Sequence, residues 1–331
     1  MMIVLAVLVV TLWIPQTSAT TLTEARRLIN AGEPARAIEQ LKAIAGDQDP
    51  AVQLQASLLL GVAHYHADDP AKAVEVLTPI VDRLPRDSIE RREAEQVLGL
   101  AAVVVGRFAD AVPRLEATRR WAPENMQLAY ALAQAYLQTR QVDAARAVLA
   151  DLFKVAPQSA AAHLIAAQMM TRLELDSLAE PELTRALEKD PRLPSANLLL
   201  GQIALFRGRI PEAITFTTRE LAINPASAMA FSQLGDGYVR QAQWDDAIAT
   251  LQKSIWLNPY YSAPYILMGR AYMKKAQPAV AESMLRRAIE LDPNNRAAHY
   301  LLGQLLQQAG REDDAKREFE IAEKLRSPRE R

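Results

Sequence analysis

Residues 267–293 read LMGRAYMKKAQPAVAESMLRRAIELDP, and residues 233–259 read QLGDGYVRQAQWDDAIATLQKSIWLNP. Gly269, Tyr272, Ala281, Leu285 and Pro293 of the first stretch answer to Gly235, Tyr238, Ala247, Leu251 and Pro259 of the second, each 34 residues earlier. The correspondence continues in both directions. Pro123, Pro157, Pro191, Pro225, Pro259 and Pro293 keep the same interval. So do Ala111, Ala145, Ala179, Ala213, Ala247, Ala281 and Ala315, and the ladder reaches Ala73 and Ala37 once small insertions are allowed. A third ladder holds small residues, Ala25, Gly61, Gly99, Ala133, Ala167, Gly201, Gly235, Gly269 and Gly303. A fourth holds Leu41, Leu77, Leu115, Leu149, Leu183, Leu251 and Leu285, with Thr217 and Phe319 as departures. Self-similarity at a fixed period of this length is the mark of a repeat architecture.

The ladders have a physical reading as two antiparallel helices per unit. Gly269 and Ala281 are expected to face each other where the helices cross, because small side chains allow close approach. Tyr272, Leu285 and Ala288 fall on apolar stripes at helical spacing. Pro293 ends the second helix, since proline cannot continue it and restricts the residue before it. The turn between the helices is written in GRIPEA (208–213) and AGRED (309–313). There Gly208 and Gly310 supply the residue after the first helix, and Pro211 suits the first turn of the next. Asp245, Asp246, Asp313 and Asp314 place negative charge at helix N-termini. One such pair cannot bury its apolar faces alone, so neighbours must stack.

The period, the ladders and the helix–turn–helix unit resemble the tetratricopeptide repeat family over nearly the whole chain. Nine units are expected, at 18–51, 54–87, 92–125, 126–159, 160–193, 194–227, 228–261, 262–295 and 296–329. The resemblance implies an all-α fold, a right-handed superhelical solenoid of antiparallel helix pairs over residues 20–331. Two joints are irregular. Asp87 and Glu90 form a capping-box pattern, which predicts an extra turn on the following first helix. Residues 52–53 read as a short loop insertion.

Composition narrows the function. Lys plus Arg number 38 and Asp plus Glu 39, a balance that gives no basic field for nucleic acid. The chain has no cysteine, which removes disulfides, thiolate zinc sites and cysteine nucleophiles. Its N-terminus, MMIVLAVLVVTLWI followed by PQTSAT, is apolar but shorter than the roughly 20 residues a span requires. Thr17 and Ala19 stand as the −3 and −1 residues of a signal-peptidase site, so residues 1–19 read as a secretory signal. Against this, no Lys or Arg precedes the apolar run, and an uncleaved membrane anchor is the alternative. Thr21 and Glu24 read as a capping box opening the first helix, which cutting after Ala19 would leave intact.

In the resembled family one stripe of each first helix lines a concave groove that binds peptides or partner helices. Here that stripe has three zones. Leu58, Val62, Val97, Leu100, Val103 and Val104 make an apolar zone, with a partner's apolar anchor expected near Leu100. Gln134, Gln138, Gln168 and Gln202 make an amide zone able to hydrogen-bond an extended backbone. Arg172, Arg240, Arg270 and Lys274 make a basic zone, with Asp236 its acid and Gln304 and Gln308 beyond, suited to an acidic part of the partner. Some family members grip a terminal carboxylate with a Lys and Asn pair. This chain has Leu with Gln or Val at the matching places, which argues against that clamp.

Catalytic signals are sparse. His64, His163 and His299 fall on packing stripes, and His64 and His66 point to different faces of one helix despite Asp68 and Asp69 nearby. No phosphate-binding glycine loop, HExxH or GxSxG is present. Trp256, Tyr260 and Tyr261 surround Pro259 and are expected to staple the helix exit to the next unit. The expectation is therefore a non-catalytic scaffold or adaptor holding a protein or peptide partner. It needs no cofactor or metal, and it touches a membrane only if the N-terminal segment stays. By family analogy it would serve cell-envelope assembly, secretion or polysaccharide export, exported and in the periplasm. The alternatives are an inner-membrane anchored adaptor facing the cytoplasm and an accessory subunit of an envelope enzyme such as a glycosyltransferase.

Overall fold

Leu41, Leu77, Leu115, Leu149, Leu183, Leu251 and Leu285 are all completely buried, and so, to within a few per cent, is every member of the alanine ladder. These buried positions are what a computed structural model of the chain, describing residues 18–326, is built around. Of the signal or anchor segment at residues 1–19, residues 1–17 lie outside the described residues. Among those described there are eighteen α-helices in nine antiparallel pairs, one 3-10 turn and no strand. The chain divides into two compact units between Lys154 and Val155.

The first unit holds α1 (Ser18–Asn30), α2 (Pro34–Ile44), α3 (Pro50–His66), α4 (Pro70–Leu77), α5 (Ile89–Val104), α6 (Phe108–Trp121), α7 (Met126–Gln138) and α8 (Val142–Leu152). Each first helix packs on its own second helix, and α1, α3, α5 and α7 also pack one on the next. Both irregular joints lengthen a helix. Residues 52–53 lie inside α3, a helix of 17 residues whose N-cap is Asp49, so the insertion extends a helix rather than a loop. The extra turn on α5 is present, but its cap is Ser88, whose hydroxyl accepts from Arg91 N at 3.1 Å, and not Asp87. Arg91 pins the connection before it, donating to Asp82 of the 3-10 turn (Val81–Arg83) at 2.8 Å and to the Leu84 carbonyl at 3.2 Å. Arg114 of α6 reaches the same carboxylate, and these guanidinium contacts hold Asp82 below the usual carboxylate range.

The opening of α1 differs from the sequence reading. The helix already runs from Ser18, the first described residue, through Thr21, so Thr21 is a buried interior residue and not a cap. Glu24 does not turn back to the helix start; it pairs with Arg27 at 2.7 Å. Ser18 donates its hydroxyl to Asp47 in the loop after α2, a contact that keeps the Asp47 carboxyl low.

The second unit holds α9 (Ala160–Arg172), α10 (Asp176–Lys189), α11 (Ala196–Phe206), α12 (Ile210–Ile223), α13 (Ala228–Arg240), α14 (Trp244–Leu257), α15 (Ala263–Lys274), α16 (Pro278–Leu291), α17 (Arg296–Gln308) and α18 (Glu312–Lys324). Its pairs follow the 34-residue period without insertion. The small-residue ladder meets the leucine ladder, not the alanine ladder. A Cβ built on Gly269 would lie 2.7 Å from Leu285, and one on Gly235 would lie 2.5 Å from Leu251. The crossing therefore needs a small residue under a large one, and the glycine–alanine facing drawn from sequence is replaced by glycine against leucine. The departure at Thr217 is compensated. Gln233 of α13 donates to the Thr217 hydroxyl at 3.0 Å and to the Leu198 carbonyl at 3.1 Å, filling the space above Gly201.

All nine turns between paired helices contain one residue in the left-handed region. Four are Gly32, Gly106, Gly208 and Gly310, and five are Asp68, Arg140, Glu174, Ala242 and Ala276. Only glycine adopts that conformation without steric cost, so the period imposes the backbone even where the residue type resists it.

Candidate functional site

The apolar zone read from the first-helix stripe is core. Leu58 is 1% exposed, Val62 2% and Leu100 6%, and Val97 and Val103 are buried beside them. These buried side chains present no surface to a partner; α1 packs on α3 and α3 on α5. Val104, at the end of α5, is the exception and is exposed. The expected apolar anchor near Leu100 is thus corrected. Further along the first unit, Gln134 and Gln138 of α7 are half-buried.

In the second unit the stripe remains at the surface. Gln168 and Gln304 are half-buried, and Gln202, Arg172, Arg240, Arg270 and Lys274 are exposed. Arg172, Phe206, Arg240, Lys274 and Gln308 are the last residues of α9, α11, α13, α15 and α17, so they stand at one level of successive first helices. Arg240 is satisfied within the protein. Its Nε lies 3.1 Å from both carboxylate oxygens of Asp236, and its Nη1 donates to the Leu205 carbonyl at 3.2 Å. Among the described residues Arg172, Arg270 and Lys274 make no ion pair, although the adjacent Lys275 is bound to Asp245.

Arg270, Met273 and Lys274 of α15 and Tyr300, Gln304 and Gln308 of α17 line one concave space of about 490 Å³. No acidic side chain contributes to its lining. Four residues that the sequence placed on one stripe are therefore brought together, with cations on one wall and amides on the other. Sequence reasoning missed two members of this face. Phe206 is 83% exposed and Tyr300 47% exposed. An aromatic residue at a stripe position reads as core by type. The available signal was place: Phe206 is the last residue before the Arg207–Gly208 turn, where its counterparts are Arg172, Arg240 and Lys274.

The remaining functional candidates resolve into structure. His163 and His299 occupy the same place in their units and each meets a glutamate of its own second helix, Glu182 at 2.8 Å and Glu318 at 2.6 Å. His64 is buried 3.5 Å from Asp69, which caps α4 by accepting from Lys72 N. Burial pushes the His64 imidazole below its ordinary pKa, with Asp69 opposing. No group of three metal-ligating side chains occurs among the described residues, and no described helix is long and apolar enough to cross a membrane. Trp256 and Tyr260 do not staple the next unit; they are 83% and 77% exposed.

A chain of nine such pairs is a helical-repeat protein, and the accessible first-helix stripe of its second unit carries amides, cations and two aromatic residues. Sequence models of the tetratricopeptide repeat match residues 22–88, 177–228 and 266–328, together more than half of the chain, and related models match 105–169 and 230–259. The chain belongs to the tetratricopeptide repeat family, whose members generally bind protein partners. Among solved structures it is similar to PilF of Pseudomonas aeruginosa, at 21% identity and a TM-score of 0.47 over 57% of this chain and 86% of that one. It is also similar to MamA of Desulfovibrio magneticus RS-1, at 21% and 0.44 over 50% and 94%. A third is the APC/C hetero-tetramer Cut9–Hcn1, at 17% and 0.46 over 88% and 56%. No curated protein matches the chain.

Proposed function

We propose that the protein is a non-catalytic scaffold that holds an extended segment of another protein against the first helices of its second unit. The observation that carries this reading is the exposed stripe itself. Gln202, Arg270, Lys274 and Gln304 stand at or near the surface along it, and among the described residues Arg270 and Lys274 make no ion pair. Half-buried amides offer paired donors and acceptors to a backbone, as extended-peptide recognition requires. Placing a photo-crosslinking phenylalanine analogue at Gln202 or Gln304 tests it. A discrete protein adduct is expected from both sites in living cells and not from Gln252, exposed on α14. Adducts from Gln252 alone would overturn the reading.

Export, with service in cell-envelope assembly, secretion or polysaccharide export, belongs to the same proposal. Its support is the apolar N-terminal run with Thr17 and Ala19 at the cleavage pattern. One observation favours the second reading, an uncleaved anchor. Ser18 lies within α1 and bonds Asp47, so cutting after Ala19 would remove that bond and the helical residues Ser18 and Ala19. The mass of the mature N-terminus decides between them: a chain beginning at Thr20 means export with cleavage, and a chain retaining Met1 means an anchor.

A further inference from the structure

We infer that the second unit recognises an acidic segment at two points: a carboxylate held by Arg270 and Lys274, and an apolar side chain seated on Phe206 about six residues away. This rests on the scaffold reading above and adds the chemistry of its ligand.

The cationic point is built by subtraction. Of the cations on this stripe, Arg240 is consumed by Asp236 and lies across the end of α11, against the Leu205 carbonyl. Lys275 is consumed by Asp245. Arg172 of α9 is also without an ion pair, but of these cations Arg270 and Lys274, one helical turn apart on α15, are the two that border the concave space shared with α17. Two uncompensated positive charges at a recess with no acid in its lining concentrate field there and favour an anionic group. Gln304 and Gln308 on the opposite wall supply neutral donors that can complete the hydrogen bonds of a carboxylate, and Tyr300 supplies an aromatic rim.

The apolar point is Phe206. Its ring is left in water at the end of α11, on the same level as Lys274, while the Arg240 guanidinium reaches the neighbouring carbonyl. An exposed aromatic residue bordered by a fixed, charge-satisfied arginine offers area without competing for a charged ligand. The spacing follows from packing. α11 packs on α13 and α13 on α15. Axes of packed helices lie about 10 Å apart, so two steps span about 20 Å, the reach of roughly six extended residues. A segment with an acidic residue and an aliphatic or aromatic residue at that separation meets both points at once. Linking two weak contacts on one chain raises affinity well above either alone.

The test is fluorescence anisotropy of the full chain with labelled twelve-residue peptides in a serine–glycine background. One peptide carries a leucine and an Asp–Glu pair six residues apart, in each order. Controls replace the acidic pair by Lys–Lys or the leucine by Ser. The two-point peptide is expected to bind at least about tenfold tighter than either control, in one order, with the acidic part weakening as salt rises. R270E/K274E should abolish the preference for acid and keep the preference for leucine, and F206S should do the reverse. Both variants alter exposed side chains, and unchanged helical melting confirms that they fold. Equal binding of the acidic and basic peptides, or indifference to R270E/K274E, overturns the proposal. So does binding of alginate that depends on Arg270 while no peptide binds. If the chain shows no preference for the acidic peptide while crosslinking at Gln202 and Gln304 still captures a protein, the scaffold reading stands and this one fails.

Discussion

Leu100 of α5 and Gln202 of α11 hold the same place in their repeats, yet one is 6% exposed and the other lies open to water. The two units are built from the same ladders and the same turns. They differ in what the first-helix stripe carries. In α3 and α5 of the first unit, both lengthened helices, it is leucine and valine and is packed away up to Val104, while α7 carries the half-buried Gln134 and Gln138. In the second it is glutamine, arginine and lysine, the period is unbroken, and the stripe is surface. The comparison teaches that a repeat fixes where side chains point, while residue type at one stripe decides whether that direction means core or interface.

The largest effect should come from exchanging the two residues. Leu100→Gln puts an amide into a closed apolar site and is expected to cost about 3 kcal/mol in urea unfolding. Gln202→Leu should change stability by no more than about 0.5 kcal/mol. Equal effects would break the contrast between the units. A feature shared by both units sharpens it. A Cβ on Gly235 would sit 2.5 Å from Leu251 and one on Gly99 2.8 Å from Leu115, so Gly235→Val and Gly99→Val should each cost roughly 1–3 kcal/mol by the same assay. Smaller again is the turn. Ala276 holds φ +52°, and Ala276→Gly should stabilise by about 0.5–1 kcal/mol, while Gly310→Ala, at φ +73°, should lose a similar amount.

The smallest expected effect is a pH dependence in the first unit. Burial lowers the His64 pKa, so the unfolded chain takes up a proton that the folded chain resists. That stability is present above about pH 6.5, the ordinary histidine value, and falls as the pH drops below it. His64→Gln should flatten this decline between pH 7 and 5, seen as a smaller loss of melting temperature than the wild-type chain shows.

Much of the fold was legible in the sequence because its signals are local and repeated. Proline and the left-handed turn residue punctuate every unit, and each second-helix leucine sits at zero exposure where its ladder put it. What was not legible depends on neighbours. Leu58 and Leu100 look like any groove residue in the sequence and are buried in the fold. Phe206 looks like core until the end of α11 leaves it uncovered. Ser88 rather than Asp87 caps α5, a shift of one residue that the capping-box pattern does not resolve. Arg240 counts as a free cation in the sequence and is neutralised in the structure by Asp236, four residues earlier on the same helix.

The most direct test of the account is hydroxyl-radical footprinting of the chain alone and with its crosslink-identified partner bound. Phe206 and Tyr300 report the first-helix face of the second unit, and Trp256 and Tyr260 report exposed aromatic surface that the account assigns to no partner. The account predicts that the partner protects Phe206 and Tyr300 and leaves Trp256 and Tyr260 as reactive as before. Protection of Trp256 and Tyr260 with Phe206 and Tyr300 unchanged would contradict it.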